Sequence, residues 1–376
     1  MRCLFGFMCV LALGVMGCTD SGSGNWAPLD YEANPASAKY DFGAADSAVA
    51  DFMLDYPAVK GVTLAVVRGR DGQIYEKGYG DFGRDRISMI TSTTKVLSAG
   101  VILSLVDEGV LELDRPIAEY LDWGDYHPTV TMRQILSMMS GMPLSFSSEN
   151  GCFPFPCSCD PTTTIQECGR IEFEDESMWI EHNLEFRYSD WQLAGAVAEI
   201  VAGAAWADLA TQKLIVPCGL PNTGYTNGTK AEARALDGDP ANMPATDNPS
   251  LDGGAYTTVN DYSKVLLMHL RHGRCGQTRV LSPSMVSAMQ EDLVPEGVAI
   301  PDWFPDAINY GMGWFKYETE PGLLIDPGAL GARAVLNPAD DWGAIMIIET
   351  TTAEGHELFE RLVPVIRAAV AAADQG

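Results

Sequence analysis

Segments with the composition of β-strands lie near both ends of the chain, and helical patterns fill the middle. Gly61–Arg68 (GVTLAVVR) is rich in β-branched residues. Asp71-Gly72 is a turn signal, and a second predicted strand follows it over 72–79. This arrangement predicts a β-hairpin. Strands are predicted again over 310–317, 332–337 and 344–349. We therefore expect an α/β (α+β) domain whose sheet is closed by both ends of the chain, with a helical region inserted between them.

Apolar residues at helical spacing predict the helices. The clearest example is 93–108, which carries Val96, Leu97, Val101, Leu105 and Val106 and is followed by Gly109 as a stop signal. Further helices are predicted over 132–139, 192–202, 261–271, 284–291 and 357–372. The pattern indicates one domain over 39–376 with a helical subdomain at about 126–225.

The charge balance excludes one class of partner. The chain of 376 residues has 24 Lys and Arg against 51 Asp and Glu, a formal net charge of −27. Binding to phosphate backbones requires a basic surface, so a nucleic-acid partner is not expected. The acidic surface is expected to favour solubility.

The first residues have the pattern of an export signal. Arg2 precedes an apolar run over 4–16, which is too short to span a bilayer as a helix. Residues 1–17 are therefore predicted to be a signal peptide. Val15-Met16-Gly17-Cys18 resembles the lipobox of bacterial lipoproteins, which implies lipidation of Cys18, a tether over 18–38 and a membrane anchor. Thr19 after the cysteine favours the outer membrane by the same resemblance. The alternative is an ordinary signal peptide with an incidental cysteine.

Export changes the expected state of the cysteines. Cys3 and Cys9 would leave with the signal and Cys18 would carry lipid. Six cysteines would remain, an even number that favours disulfides in an oxidising compartment. These candidates are Cys152, Cys157, Cys159, Cys168, Cys218 and Cys275. Four of them lie in an insertion over 144–175, for which a zinc site without histidine is the alternative. Cys218 with Cys275 is expected, by elimination, as the long-range pair.

Ser92-Thr93-Thr94-Lys95 is an S-x-x-K sequence in a predicted helix. Positions three apart lie on one helix face, about 5–6 Å between Cβ atoms. A neutral lysine beside a serine can accept the hydroxyl proton, provided that burial lowers the lysine pKa. The alternative is a helix cap followed by an exposed lysine.

Other common catalytic sites are absent from the sequence. It has no G-x-S-x-G nucleophile elbow and no phosphate-binding P-loop. His356-Glu357 begins a metalloprotease-like pattern, but Glu360 stands where the second histidine should be. We therefore expect neither a metal nor another cofactor.

Three motifs in order carry a family resemblance. They are Ser92 with Lys95, then Tyr188-Ser189-Asp190, then Asp326-Pro327-Gly328-Ala329. Secondary landmarks are Thr131-Met132-Arg133-Gln134-Ile135-Leu136, Ser140-Gly141-Met142-Pro143, Pro217-Cys218-Gly219-Leu220, Gly253-Gly254-Ala255-Tyr256-Thr257-Thr258 and Tyr310-Gly311-Met312-Gly313-Trp314. Over about residues 45–370 the chain resembles the serine β-lactamase/penicillin-binding-protein superfamily, in the branch of class C β-lactamases, D-Ala-D-Ala carboxypeptidases and family VIII esterases.

The resemblance implies a β-lactamase/transpeptidase-like fold, an antiparallel sheet flanked by helices. By position, Ser92 would be the acylated nucleophile, Lys95 its proton partner and Tyr188 a second base or proton relay. The N–H groups of Ser92 and Ala329 would form the oxyanion hole. The substrate-binding positions would be Asp190, Asp326 and Gly328.

Two positions depart from the family pattern. Asp190 stands where an asparagine is usual, and an ionised aspartate cannot donate a hydrogen bond to a substrate carbonyl. Asp326 stands where a lysine or histidine usually meets a substrate carboxylate. Both changes weaken the case for a β-lactamase. Asp326 would disfavour anionic substrates if it faces the pocket, or bind a cationic group there. Alternatively it pairs with Arg333 and never meets substrate.

The residues favour a serine hydrolase that acts through an acyl-enzyme on a small-molecule ester or amide, with carboxylic esters preferred. One alternative is a D-Ala-D-Ala carboxypeptidase or β-lactamase of the same fold. Another is a non-catalytic binding or scaffold lipoprotein that retains the fold.

Overall fold

A computed structural model of the protein describes residues 29–123, 126–141, 156–175, 191–227, 245–301 and 306–375. The strands are β1 (Gly61–Arg68), β2 (Gly72–Gly80), β3 (Ser88–Met89), β4 (Gly224–Tyr225), β5 (Ala255–Thr257), β6 (Arg274–Cys275), β7 (Thr278–Arg279), β8 (Ala307–Tyr310), β9 (Phe315–Tyr317), β10 (Leu324–Pro327), β11 (Arg333–Asn337) and β12 (Trp342–Ile348). The α-helices are α1 (Gly43–Asp55), α2 (Lys95–Asp107), α3 (Met132–Leu136), α4 (Ile165–Glu174), α5 (Trp191–Ala202), α6 (Trp206–Ala210), α7 (Val216–Cys218), α8 (Val259–Leu270), α9 (Pro283–Met289) and α10 (Thr352–Ala373).

A seven-stranded sheet organises the molecule, in the order β2-β1-β12-β11-β10-β9-β8. Each neighbouring pair is antiparallel. The hairpin β1–β2 pairs with the last strand, so Val62 lies opposite Ile348 and Arg68 opposite Trp342. The prediction of a sheet closed by both ends of the chain is confirmed, because β1, from the first part of the chain, pairs directly with β12, from the last.

The two faces of this sheet pack against different helices, because side chains alternate along a strand. Residues such as Ala334 and Leu336 join the core formed with α2 and α8, which we call the inner face. Val335 joins the core formed with α1 and α10, which we call the outer face. Each face is covered, so strand β12 is buried along its whole length.

Helix α2 lies within the core on the inner side of the sheet. Every residue from Lys95 to Leu105 is buried, including Lys95, Ser98 and Ser104. A helix that is buried on all sides is a core helix rather than an amphipathic surface helix. A short 3₁₀ turn, Thr91–Thr94, leads directly into it.

One predicted strand is two strands. The segment predicted over 310–317 ends β8 at Tyr310 and begins β9 at Phe315, with a turn closed by Gly311 N–H donating to Trp314 O at 2.8 Å. Gly313 has φ +103°, and a Cβ there would lie 3.1 Å from Val96 Cα. The two glycines therefore break the strand where the chain presses on the first turn of α2.

The cysteine-rich segment contains a helix that its sequence did not predict. Helix α4 begins at a Thr164 cap, whose side chain accepts from Glu167 N–H. The structure joins Cys157 to Cys168 and Cys218 to Cys275 as disulfides. Cys159 is also disulfide-bonded, and Cys152 lies outside the described residues.

Among the described residues, no single helix has the length and apolar composition of a membrane span. The pair Trp191–Ala202 and Trp206–Cys218 meets that test together, but the two parts are bent by 81°.

Candidate active site

The S-x-x-K sequence forms a tight turn in front of α2. Ser92 lies in the 3₁₀ turn Thr91–Thr94 and Lys95 is the first residue of the α-helix, so the predicted helix begins later than its sequence indicated. Between Thr91 and Leu105, Ser92 is the one residue that is not buried. The fold therefore presents the Ser92 side chain at the surface of an otherwise closed core.

Thr91 holds this turn in an uncommon backbone conformation. Its φ is +45°, in the left-handed region that β-branched residues rarely adopt. Such strain costs roughly 1–3 kcal/mol and persists where surrounding contacts impose it. Here the N–H of Ile90, the residue before Thr91, donates to Ala255 O of β5 at 3.0 Å.

Lys95 is buried in the position expected of a proton acceptor, with its side chain 1% exposed. Its Nζ donates to the carbonyl oxygen of Asp252 at 2.8 Å and lies 4.0 Å from the Asp252 carboxylate. Burial lowers the Lys95 pKa to about 8, against the opposing effect of the negative charges of Asp252 and Asp326. An amine with that pKa is neutral in a substantial fraction of molecules at mildly alkaline pH.

Asp252 is a site residue that the sequence analysis missed. It directly precedes Gly253-Gly254, which was identified only as a landmark. Its carboxylate accepts from Ser250 Oγ at 2.7 Å, and its backbone carbonyl accepts from Lys95 Nζ. A Cβ on Gly254 would lie 2.0 Å from Thr226 O, so this double glycine allows the loop to approach closely. The glycine pair after an acid was the available signal.

The third motif brings the expected oxyanion donor to the Ser92 turn. A Cβ on Gly328 would lie 2.3 Å from Ile90 O, so only glycine fits between β10 and that turn. Gly328 N–H donates to Ala332 O at 2.7 Å and closes the loop that contains Ala329. Among the described residues, the N–H of Ala329 has no hydrogen-bond partner. Gly328 therefore has a packing role, and Ala329 is left with a donor to offer.

Asp326 does not face solvent, contrary to the expectation of a pocket-facing acid. It is 1% exposed, and the groups that act on its carboxyl are Lys95, the N–H of Val96 and the hydroxyl of Tyr262. Burial raises the Asp326 pKa well above its usual range, although these three neighbours oppose the shift. The side chain lies beneath α2, and a neutral carboxyl is the form that burial favours.

The alternative pairing of Asp326 with Arg333 is also wrong. Asp326 lies opposite Ala334 in the sheet and points to the inner face. Arg333, one residue before Ala334, points to the outer face, where its guanidinium lies 5.6 Å from the centre of the Phe359 ring. The sheet separates the two side chains.

The second motif lies outside the described residues, so the predictions for Tyr188 and Asp190 stay predictions. The residue that follows it, Trp191, begins α5 and is buried. Lys95 Nζ lies 6.0 Å from the centre of the Trp191 ring.

A metal is not supported by the cysteine cluster. Among the residues that the structure describes, one group of His, Cys, Asp and Glu ligand atoms lies within 4.8 Å, namely Cys157, Cys168 and Glu172. Its two cysteines form a disulfide, and zinc binds the thiolate form of cysteine.

The arrangement combines a partly exposed serine hydroxyl, a buried amine with a lowered pKa and a neighbouring backbone donor. These are the parts of an acyl-transfer site with a serine nucleophile. The chain belongs to the β-lactamase family, since the family model described as Beta-lactamase matches residues 49–365. The family is one of serine hydrolases, and the fold expected from the motifs is confirmed.

Relatives with known names agree on the fold. Penicillin-binding protein 4 of Amycolatopsis lactamdurans is 24% identical over 331 residues, which is 78% of this chain and 81% of the relative. The octameric penicillin-binding protein homologue of Pyrococcus abyssi has a TM-score of 0.68 at 21% identity, over 87% of this chain and 78% of that chain. EstCE1, described as a hydrolase with promiscuous acyltransferase activity, has a TM-score of 0.68 at 18% identity, over 87% of this chain and 98% of that chain.

Proposed function

We propose that the protein is a serine hydrolase that cleaves carboxylic esters through an acyl-enzyme on Ser92. The observation that carries the proposal is the exposure of Ser92 alone in a buried run, three residues before a buried Lys95 whose pKa is lowered to about 8. A lysine that serves only for solubility would be exposed, because burial of an ammonium group is costly.

Acylation begins with proton transfer from the Ser92 hydroxyl to neutral Lys95. The Ser92 oxygen attacks the ester carbonyl carbon, and the carbonyl oxygen becomes the oxyanion. The N–H groups of Ser92 and Ala329 donate to that oxyanion. Each such donor typically contributes about 3–4 kcal/mol to the transition state.

Collapse of the tetrahedral intermediate breaks the ester bond and releases an alcohol, which takes up a proton. In this proposal Tyr188 relays that proton from Lys95. Water then attacks the acyl-enzyme carbonyl and gives a proton to neutral Lys95. Collapse of the second tetrahedral intermediate breaks the bond from the acyl carbon to the Ser92 oxygen, which takes that proton from Lys95, and a carboxylic acid leaves. The same residues serve acylation and deacylation, because a group that accepts a proton in one step can donate it in the next.

The third motif supports esters over β-lactams. The position that supplies a cation to a substrate carboxylate in the family pattern is Asp326, which is buried and whose pKa is raised by burial. An aspartic acid buried beneath α2 offers no attraction to a carboxylate, because neither of its protonation states is a cation. A neutral ester has no carboxylate that needs a cation, so the absence of a cation at this position does not weaken its binding.

Intact-mass analysis after treatment with a fluorophosphonate probe, compared with Ser92→Ala, tests the nucleophile. Rates on p-nitrophenyl butyrate and a chromogenic cephalosporin test the substrate class. We expect a single adduct that Ser92→Ala abolishes, ester turnover that falls at least about 10³-fold in the variant, and negligible cephalosporin turnover.

Two results would favour the alternatives. Efficient cephalosporin hydrolysis, or release of D-alanine from a D-Ala-D-Ala peptide in preference to ester cleavage, would identify a β-lactamase or D,D-peptidase. Absence of both turnover and probe labelling in the folded protein would favour a binding or scaffold role.

The proposal places the enzyme at a membrane by a lipid on Cys18, which lies outside the described residues. It rests on the lipobox-like sequence alone. One acyl chain gives marginal membrane binding and two hold firmly. Cys18→Ala is expected to release the protein from bacterial membranes or block its processing. Unchanged fractionation with no lipid label on the native protein would contradict the anchor and its outer-membrane location.

A further inference from the structure

Three threonines adjoin Ser92 in the sequence Thr91-Ser92-Thr93-Thr94, and all three are buried. The Thr94 hydroxyl donates to Thr91 O at 2.5 Å and accepts from Ala255 N–H at 3.0 Å. Thr94 therefore ties the Ser92 turn to itself and to β5. Thr91 and Thr93 instead contact the loop between β10 and β11, which contains Ala329.

Thr93 contacts the loop that carries the oxyanion donor at both of its ends. Its side-chain oxygen lies 3.1 Å from Asp326 O and 3.4 Å from Ala332 O. Ala329 lies midway between these two residues in the chain. Thr93 is completely buried, so no water competes for the hydroxyl at this position.

Thr91 adds a third connection to the same loop. Its side-chain oxygen accepts from the N–H of Leu330, the residue after Ala329, at 3.4 Å. The loop is also held internally, because Gly331 N–H donates to Gly328 O at 3.0 Å. Together these bonds leave the Ala329 peptide little freedom to rotate away from Ser92.

A hydroxyl at position 93 needs a reason, because a valine would fill the same volume without a polar atom. A buried hydroxyl costs free energy unless it is hydrogen-bonded. Here its bonds link the two parts of the proposed oxyanion hole. We propose that Thr93 is a positioning residue that holds the N–H of Ala329 at its working distance from Ser92. The inference rests on the proposed function and adds to it.

The test compares native protein, Thr93→Val and Thr93→Ser on p-nitrophenyl butyrate. The matched control is Thr63→Val: Thr63 is equally buried in β1, and among the described residues its hydroxyl has no hydrogen-bond partner. β1 is three strands away from β10 in the sheet. The measurements are kcat, KM and inhibition by phenylboronic acid, whose adduct with a serine imitates the tetrahedral intermediate.

We expect Thr93→Val to lower kcat by about 10- to 100-fold while KM changes less than about twofold, because the oxyanion donor acts in the transition state. Phenylboronic acid should bind more weakly by a similar factor. Thr93→Ser should recover most of the native kcat, and Thr63→Val should equal the native protein. If Thr93→Val does not fold, Thr93→Ser against Thr93→Ala provides the same comparison.

Equal kcat in Thr93→Val and the native protein would overturn the inference and leave the proposed function intact. So would a rise in KM at constant kcat, which indicates a substrate contact instead. A native protein with neither ester turnover nor fluorophosphonate labelling would overturn both, so the two failures are distinguishable.

Discussion

An ion pair on the outer face of the seven-stranded sheet and a pair of ionisable groups on its inner face have opposite pKa shifts. On the outer face, Arg68 donates to the Asp374 carboxylate at 2.7 Å. Burial alone would lower the Arg68 pKa, but its hydrogen bond to Asp374 raises it overall, and the same bond lowers the Asp374 pKa. On the inner face, burial lowers the pKa of Lys95 and raises that of Asp326. The outer pair is held charged, whereas the inner pair is driven towards neutrality.

This difference separates structural from chemical use of ionisable residues. An ion pair that stays charged at all ordinary pH values can connect a strand to a helix, but it cannot exchange protons near neutrality. A buried amine with a pKa of about 8 can do so. On the same side of the sheet, the loop with Gly328 and Ala329 packs against the Ser92 turn. The proton acceptor Lys95 therefore lies near the proposed nucleophile and oxyanion donor.

The largest expected effect comes from removing the inner-face amine. Lys95→Met keeps an unbranched apolar side chain one atom shorter and removes the base, so it should lower kcat/KM for p-nitrophenyl butyrate by about 10³-fold. In the native protein, kcat/KM should fall about tenfold per pH unit below pH 8, because the protonated lysine cannot accept a proton. Arg333→Met, which removes a buried cation from the outer face, is the control. A native rate independent of pH from 6 to 9 would contradict the role of Lys95.

A smaller but still severe effect is expected at the contact between β10 and the Ser92 turn. Gly328→Ala places a Cβ 2.3 Å from Ile90 O, so the backbone must move. We expect ester turnover to fall about 100-fold and the free energy of unfolding to fall by about 1–3 kcal/mol.

The matched control for that substitution is Gly100→Ala, within α2, where an added Cβ meets nothing within 4 Å. It should stabilise the protein by about 0.5–1 kcal/mol, since alanine favours a helix more than glycine does. Denaturant unfolding and kcat together separate the two variants. Equal behaviour of both would show that the close approach at Gly328 is not required.

The disulfides test whether covalent bonds are needed to hold the helices on the inner side of the sheet. The Cys218–Cys275 bridge spans 57 residues and the Cys157–Cys168 bridge spans 11. In the chain-entropy model these separations correspond to about 4 and about 3 kcal/mol. The double replacement of Cys218 and Cys275 by alanine should therefore destabilise more than that of Cys157 and Cys168. Four free thiols by counting under denaturing conditions would refute both bridges.

The smallest effect is expected at Asp326. Burial drives the Asp326 carboxyl towards its neutral form, and Asp326→Asn replaces it by a neutral group of the same shape. The free energy of unfolding should therefore change by less than about 1 kcal/mol and ester turnover by less than about threefold. A large downward shift in the pH dependence of kcat/KM would instead show that Asp326 is ionised, because its charge would then have been raising the Lys95 pKa.

Local patterns predicted much of the fold. The β1–β2 hairpin was predicted from its turn signal and β-branched residues, and β1 has the predicted bounds. The predicted helix over 357–372 lies within α10, which begins earlier at a Thr351 cap. Helix α4 was missed because a segment rich in cysteine, proline and threonine carries weak periodicity. The single strand predicted over 310–317 failed because Gly311 and Gly313 act through a contact with α2.

The sequence by itself determined the order of motifs, the family and the choice of Ser92 and Lys95 as candidates, since those depend on residue types at fixed short spacings. Only the tertiary structure decided that Asp326 lies beneath α2, that Arg333 lies across the sheet from it and that Asp252 receives the Lys95 hydrogen bond. The reason is strand register. Neighbouring residues of a strand point to opposite faces, and which face meets which helix follows from pairings between segments far apart in the chain.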